Sequence, residues 1–301
     1  KILPPEQLDV VVNTGDDEEF WGPHISPDLD TMMYTLAGVA NLETGWGLIG
    51  DTFVVLENIR SYGVEAWFNI GDNDLSTHLR RTDMLSNGHT LSEVTSSLCA
   101  AMGVRHGIVP MSDDKVRTMV VCDEGVLPFQ VYFVKRRCEP AVKDLRFDGA
   151  DIAQMSPGFT NAIDGAGSLV ICPSNPFLSL APILAIPGVK ERIHGFPGLR
   201  VAISPIVGGS AIRGPADKML RELGHDVSCV GVARQYQGLC DVFVIDEVDM
   251  SRRAEIEHMG MRVVATDIVM KTDQDKMRLA QYICSLGDPT PNEGRSGGRS
   301  K

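Results

Sequence analysis

The chain reads as an α/β protein, with a mostly parallel, doubly wound (Rossmann-like) sheet and a small antiparallel or helical insertion. Three observations predict this. Short apolar runs alternate with amphipathic stretches along nearly the whole sequence, the rhythm of strand–helix–strand units whose helices cover both faces of a parallel sheet. The apolar runs end in loops rich in Gly, Asp, Ser, Asn and Pro, the residues that turn a chain sharply. The rhythm breaks between residues 116 and 135, where two apolar runs are joined near "DEG", a hairpin signal.

In chain order, "QLDVVVNTG" is a buried strand ending in a Gly turn. "DTFVVLENIRSYG" is a helix: Asp51 can cap it, Val55, Leu56, Ile59 and Tyr62 share a face, and Gly63 stops it. "VEAWFNIGD" reads as a second strand and turn, followed by a helix beginning near Asp74. "LSEVTSSLCAAMG" is a helix that Thr90 or Ser92 can cap, and "HGIVPMSDD" a third strand. After the hairpin come the strand "GSLVICPSNP", a helix over 179–193, the strand "LRVAISPIVGG", a helix over 215–224, the strand "CDVFVIDEVD" and a last helix near 273–286. One domain over 1–286 with an insertion around 116–155 accounts for this order, and 136–155 is the best candidate for a boundary. The Gly-, Ser-, Pro- and charge-rich stretch 287–301 reads as a disordered tail.

Composition narrows the function. The formal net charge of −12 argues against binding a nucleic-acid backbone, which needs clustered Lys and Arg. No apolar run reaches membrane-spanning length and no signal peptide opens the chain, so a cytoplasmic location is expected. Seven scattered cysteines with no C-x-x-C pair suit reduced, mostly buried thiols rather than a disulfide framework or zinc site.

The strand ends carry the chemistry. "NTGDD", "NIGDND", "PMSDD", "CPSNP" and "SPIVGGSAIRGP" would lie side by side at the carboxyl edge of a parallel sheet, where such sheets bind ligands. The first continues into a cluster of carboxylates, Asp16, Asp17, Glu18, Glu19, Asp28 and Asp30, which repel one another unless a cation, water or ligand lies between them. Acidic loops suit an oxygen-ligated cation such as Mg²⁺. The Pro-, Gly-, Ser- and Asn-rich loops suit a backbone that approaches a phosphate or base. Together they point to a nucleotide-diphosphate substrate. Each loop by itself could be simple turn punctuation.

"NTGDDEEFWGPHISPDLDTMMYTLAG", "GDNDLSTHLRR", "PMSDD", "CPSNPFLSLAPILAIPG" and "SPIVGGSAIRGPADKML" together resemble the 2-phospho-L-lactate transferase family of deazaflavin coenzyme F-420 biosynthesis, over about residues 4 to 286. The resemblance implies transfer of a phospholactyl or phosphoenolpyruvyl group from a guanosine-diphosphate-activated donor to the ribityl hydroxyl of 8-hydroxy-5-deazariboflavin. It further implies release of GMP, use of Mg²⁺ and a homodimer. Two features depart from the family. Its opening strand and Gly-rich "GGTG"-type phosphate loop are not seen, the residues starting at "KILPPEQ", and Asn73 of "GDND" stands where the family has Arg.

On this reading Asp16 and Asp30 are the catalytic and metal candidates, with Asp17 and Asp28 as neighbours, although an Asp of "SPDLDT" could equally cap a helix. Asp28, Asp30, Asn73, Arg80 and Trp21 are candidates for binding the acceptor. Arg81 is a further phosphate contact, His78 a weaker candidate base, and Trp46 a second stacking ring. Pro173, Ser174, Asn175 and Pro176, with Ser204, Pro205, Gly208 and Gly214, are the nucleotide candidates. The competing readings are a regulatory nucleotide-sugar-binding protein resembling the gluconeogenesis factor, whose first acidic turn reads "DDGG", and a dehydrogenase, for which no G-x-G-x-x-G follows a strand.

Overall fold

A computed structural model describes residues 2–287. From the amino end, β1 (Asp9–Val12) leads into a short hairpin, β2 (Glu18–Glu19) and β3 (His24–Ile25), and then α1 (Pro27–Ala37), α2 (Val54–Ser61), α3 (Asp72–Ser86) and α4 (Leu91–Ala101). β4 (Gly107–Pro110) precedes an antiparallel unit of β5 (Arg117–Cys122), β6 (Gly125–Pro128) and β7 (Val142–Asp148). Next come α5 (Pro157–Gly165), β8 (Ser168–Ile171), α6 (Ala181–Ala185), α7 (Val189–His194) and β9 (Leu199–Ile203). The hairpin β10 (Ile206–Val207) and β11 (Ser210–Ala211), α8 (Ala216–Glu222), α9 (Cys229–Gln235), β12 (Val242–Ile245), α10 (Arg253–Glu257), β13 (Arg262–Ala265) and α11 (Asp273–Ser285) complete the order.

The parallel strands are divided between two sheets. β1 pairs with β4, from Asp9 opposite Gly107 to Val12 opposite Pro110, and the order β13-β12-β9-β8 forms a four-stranded parallel sheet. Successive strand residues face opposite ways, so β9 and β12 feed two cores. Val201, Ile203, Val242 and Val244 meet Leu279 and Ile283 of α11, while Ala202, Phe243 and Ile245 join the core of Met219, Leu220, Val230 and Val232. Every residue of β12 is buried, which is why "VFVI" carries no polar alternation.

The 116–135 hairpin is present as β5 and β6, joined after Cys122 opposite Gly125. β7 adds a third antiparallel strand to β5. Its sequence, "VKDLRFD", is charged at alternate positions and mostly exposed, so no apolar run announced it.

Three expected elements differ. Residues 64–71 are not a strand: Trp67 and Phe68, adjacent in sequence, both pack on Phe20, which a pleated strand with opposite-facing neighbours could not do. The 179–193 helix is instead a π turn over Pro176–Leu180, then α6 and α7. Pro187 cannot continue a helix, and Gly188 takes φ 84° between α6 and α7. Helix capping is exchanged between neighbours. Asp51 does not cap its own helix; its carboxylate accepts the N–H groups of Asn73 (2.8 Å) and Asp74 (3.0 Å) at the start of α3. Asp72 in turn accepts those of Val54 (3.0 Å) and Val55 (2.9 Å) at the start of α2. Gly71 permits this approach, because a Cβ there would lie 2.1 Å from Asp51 Oδ2. The capping residue Thr90 is confirmed, in a box with Glu93 at the head of α4. None of the seven cysteines forms a disulfide; Cys99, Cys122, Cys229 and Cys240 are buried. The expected disordered tail lies outside the described residues from 288 onward.

Candidate active site

The turn after β1 is built by close contacts. Asn13 Oδ1 accepts the N–H of Gly15 at 2.8 Å, and the Gly15 carbonyl accepts the N–H of Thr118 at 2.7 Å. Any side chain at Gly15 would clash, since a Cβ would sit 2.6 Å from Thr118 Oγ1. Gln130 Nε2 donates to the Asp16 carbonyl at 2.8 Å. The antiparallel unit thus pins the acidic turn, and Asp16 and Asp17 end up buried.

Three of the clustered carboxylates converge. Burial, then the charges of Asp28 and Asp17, push the Asp16 carboxyl well above the usual range. Burial and the charge of Asp17 raise Asp28 to about 6, against the lowering effect of its hydrogen bond from Asn13 Nδ2, 3.2 Å long. Asp17 Oδ2 accepts Ser26 Oγ at 2.8 Å and lies 3.1 Å from His24 Nε2. Four buried oxygens here have no partner: Thr14 Oγ1, Asp16 Oδ1, Asp17 Oδ1 and Thr118 Oγ1. Buried polar atoms are ordinarily satisfied, so unpartnered acceptors among mutually repelling carboxylates fit a bound cation. Among the described residues no group of three or more His, Cys, Asp and Glu side chains is placed to hold a metal by itself. Two carboxylates, Asp16 and Asp28, would still suit Mg²⁺, which keeps waters and shares substrate phosphates.

Asp30 is held elsewhere. Both its oxygens engage the Arg81 guanidinium, through Nη2 and, at 3.1 Å, through Nη1. Arg81 Nη1 also donates to His78 Nδ1 at 3.2 Å, and Tyr34 Oη donates to Asp74 Oδ1 at 2.7 Å. His78 Nε2 stands 3.3 Å from Asp74 Oδ1. Asp74, Thr77, His78 and Arg81 form the inward face of α3 at helical spacing, so Asp30 and His78 belong to a buried network tying α1 to α3. Burial opposes the Arg81 charge, but Asp30 and, more weakly, Asp17 hold its pKa above the ordinary value.

The acceptor candidates Asn73, Arg80 and Trp21 are all exposed. Asn73 Nδ2 donates to Asp51 (3.1 Å) and Arg80 pairs with Asp83 at the surface (2.7 Å). It is Arg81, not Arg80, that turns inward. Trp21 takes φ 54°, a backbone state rare for a bulky residue, and Trp46 stands edge-on to Phe53.

The nucleotide candidates are mixed. Asn13 Nδ2 also reaches the Leu178 carbonyl at 3.4 Å, so the "CPSNP" loop adjoins the acidic turn. Pro173, Ser174 and Asn175 are half-buried and Pro176 is buried. Asn175 Oδ1 caps the following turn by accepting from Phe177 and Leu178 N–H, leaving its Nδ2 near Met219 Sδ of α8. Ser204 is buried and closes on Ile206, donating to its carbonyl at 2.9 Å and accepting its N–H at 3.1 Å. Pro205 is likewise buried. Gly208, whose N–H bonds Asp249, and Gly214 have positive φ, and Gly214 is exposed. Sequence reasoning passed over His24, Ser26, Arg117 and Gln130. "HIS" and "KVRT" beside acidic turns were the available signals.

A family model described as "2-phospho-L-lactate transferase CofD" matches residues 3–283. The chain belongs to the 2-phospho-L-lactate transferase family. A 2-phospho-L-lactate transferase of Methanosarcina mazei is 36% identical over 283 residues, covering 94% of this chain and 93% of the relative. A phosphoenolpyruvate transferase of Streptomyces griseus is 42% identical over 283 residues, covering 91% and 88%. A crystal structure of a Bacillus halodurans protein, described elsewhere as a member of the UPF0052 family, superposes with TM-score 0.56 at 15% identity, covering 91% of this chain and 90% of that one. It shares the fold of this 2-phospho-L-lactate transferase family member. Among the described residues no helix is long and apolar enough to cross a membrane.

Proposed function

We propose that the protein transfers a phospholactyl or phosphoenolpyruvyl group from a guanosine-diphosphate-activated donor to the ribityl hydroxyl of 8-hydroxy-5-deazariboflavin, acting as a homodimer with Mg²⁺. The observation that carries this reading is the convergence of Asp16, Asp17 and Asp28, with unpartnered buried oxygens, beside the "CPSNP" loop. Bound there, Mg²⁺ would neutralise the donor's pyrophosphate and the charge developing on the leaving group.

The chain's own residues set the stage. Asp16 and Asp28 would hold the cation, Asn13 orienting Asp28 and Gln130 fixing the backbone of Asp16. The Arg81–Asp30 pair anchors α1, which carries Asp28. The acceptor hydroxyl attacks the phosphorus that bears the acid, the bond to the bridging oxygen breaks, and GMP departs with that electron pair. A carboxylate of the cluster takes the hydroxyl proton.

Mass spectrometry of products from purified protein, guanosine-activated donors and acceptor tests the reading. Loss of turnover in chelator and its return with Mg²⁺ are expected. Guanosine diphosphate should also protect against heat more than adenosine or uridine nucleotides, about 2.7 kcal/mol at a hundredfold excess over Kd. Protection by uridine-diphosphate sugars with none from guanosine diphosphate would overturn the proposal in favour of a regulatory sugar-nucleotide binder.

A further inference from the structure

Two cavities flank the acidic turn and share Asp17, Lys115 and Arg117 as a common wall. One, of about 180 Å³, continues past Asp16, Thr118 and Gln130; the other, of about 110 Å³, runs past Thr14 and His24. Lys115 is exposed and pairs with Glu19 at 3.3 Å. Arg117 differs. It is half-buried, and its guanidinium donates Nη1 to the Val116 carbonyl at 2.7 Å. Among the described residues, Arg81, Arg136, Arg200, Arg252 and Arg278 are likewise buried or half-buried, and each grips a carboxylate; Arg117 has no such partner. Asp16, Asp17 and Glu18 line the first cavity with it and Glu19, Asp113 and Asp114 the second, yet none of these forms an ion pair with it, which leaves its planar fork open to a carboxylate. Thr118, 1% exposed, follows Arg117 on β5 and turns to the opposite face, towards Asp16.

We infer that Arg117 binds the carboxylate of the acid being transferred. This rests on the proposed transfer reaction, in which phospholactate and phosphoenolpyruvate each carry a carboxylate on the carbon that bears the phosphate. The donor then meets two separate receptors: the acidic turn with its cation takes the pyrophosphate, and Arg117 takes the acid. Arg117 supplies a positive charge for the acid in addition to the cation that takes the pyrophosphate.

Calorimetry with phosphoenolpyruvate and with inorganic phosphate, in Mg²⁺, tests the assignment independently of turnover. Wild type should bind phosphoenolpyruvate, and Arg117→Gln should weaken that about 10- to 100-fold, the usual effect of a charged hydrogen bond. Phosphate binding should stay within about twofold, and Arg117→Lys, which keeps charge but not the fork, should fall between. Thermal unfolding shows that Arg117→Gln is folded when its binding is read. Equal weakening for both anions, no weakening, or no binding of phosphoenolpyruvate by wild type overturns the assignment. If Arg117 selects phosphoenolpyruvate over phosphate while no group transfer from a guanosine donor occurs, the transfer reading alone falls.

Discussion

In cation-free buffer, Asp28→Asn should make the protein more stable. Burial and Asp17 raise the Asp28 pKa from 3.8 to about 6 in the fold, so the folded state holds this proton more tightly than the unfolded chain does. The protonated carboxyl's contribution is complete below about pH 4 and is lost as pH rises through about 6. A shift of roughly two units at ~1.4 kcal/mol each makes ionised Asp28 worth ~3 kcal/mol of destabilisation near pH 8. Asn is isosteric, carries no charge and can still accept from Asn13 Nδ2. For a chain of this size ~3 kcal/mol is roughly 5 to 10 °C in Tm. The assay is thermal or urea unfolding with chelator at pH 4 and pH 8. The difference between variant and wild type should grow between the two, the variant exceeding wild type only at the higher pH. Millimolar Mg²⁺ should stabilise wild type more than the variant, since ligands stabilise the state that binds them. A variant less stable than wild type at pH 8, or a difference that does not change with pH, would refute the like-charge account of the cluster.

Asp16→Asn should cut turnover by about two decades, as removal of a group positioning transition-state charge does; wild-type rates would mean the turn is only a loop. Asp30→Asn should cost about 3–5 kcal/mol in urea unfolding, because it strands the buried Arg81 charge. Unchanged stability with lost activity would instead favour Asp30 as a metal ligand. Gly15→Ala should lower both Tm and rate, since the new Cβ must displace Thr118 Oγ1 from 2.6 Å, and a variant indistinguishable from wild type would show the turn to be slack. Asn73→Arg should leave the acceptor KM within about twofold, a single surface substitution being near-neutral; a clear tightening would extend the crevice to the head of α3.

The strands β8, β9 and β12 were legible because burial writes apolar runs, as in "VFVI", whereas α5, α9, α10 and the edge strand β13 were not read. Nor were β7 and the 64–71 loop legible. In β7 the residues facing water erase the apolar run, and in 64–71 adjacent aromatics pack on one side of the chain, which no period of two or 3.6 describes. The exchange of caps between Asp51 and Asp72 was equally hidden, since it depends on two helix starts meeting in space at Gly71.

For the site, the sequence by itself determined that carboxylates gather in the turn after the first strand, and its motifs determined the family. Which carboxylates lie together was decided only by the fold. Asp28 and Asp30 are two residues apart on α1, so the helix turns them to different sides: Asp28 meets Asn13 and Asp16, while Asp30 meets Arg81. Likewise Arg80 and Arg81 are neighbours in sequence but point to solvent and core. Arg117 is separated from Asp16 by a hundred residues of chain, and the pairing of Thr118 with Gly15 brings it to the turn. Local sequence sets where charge is placed along the chain, but the partner that neutralises each charge comes from elsewhere in it, and the free energy of burying a charge depends on that partner.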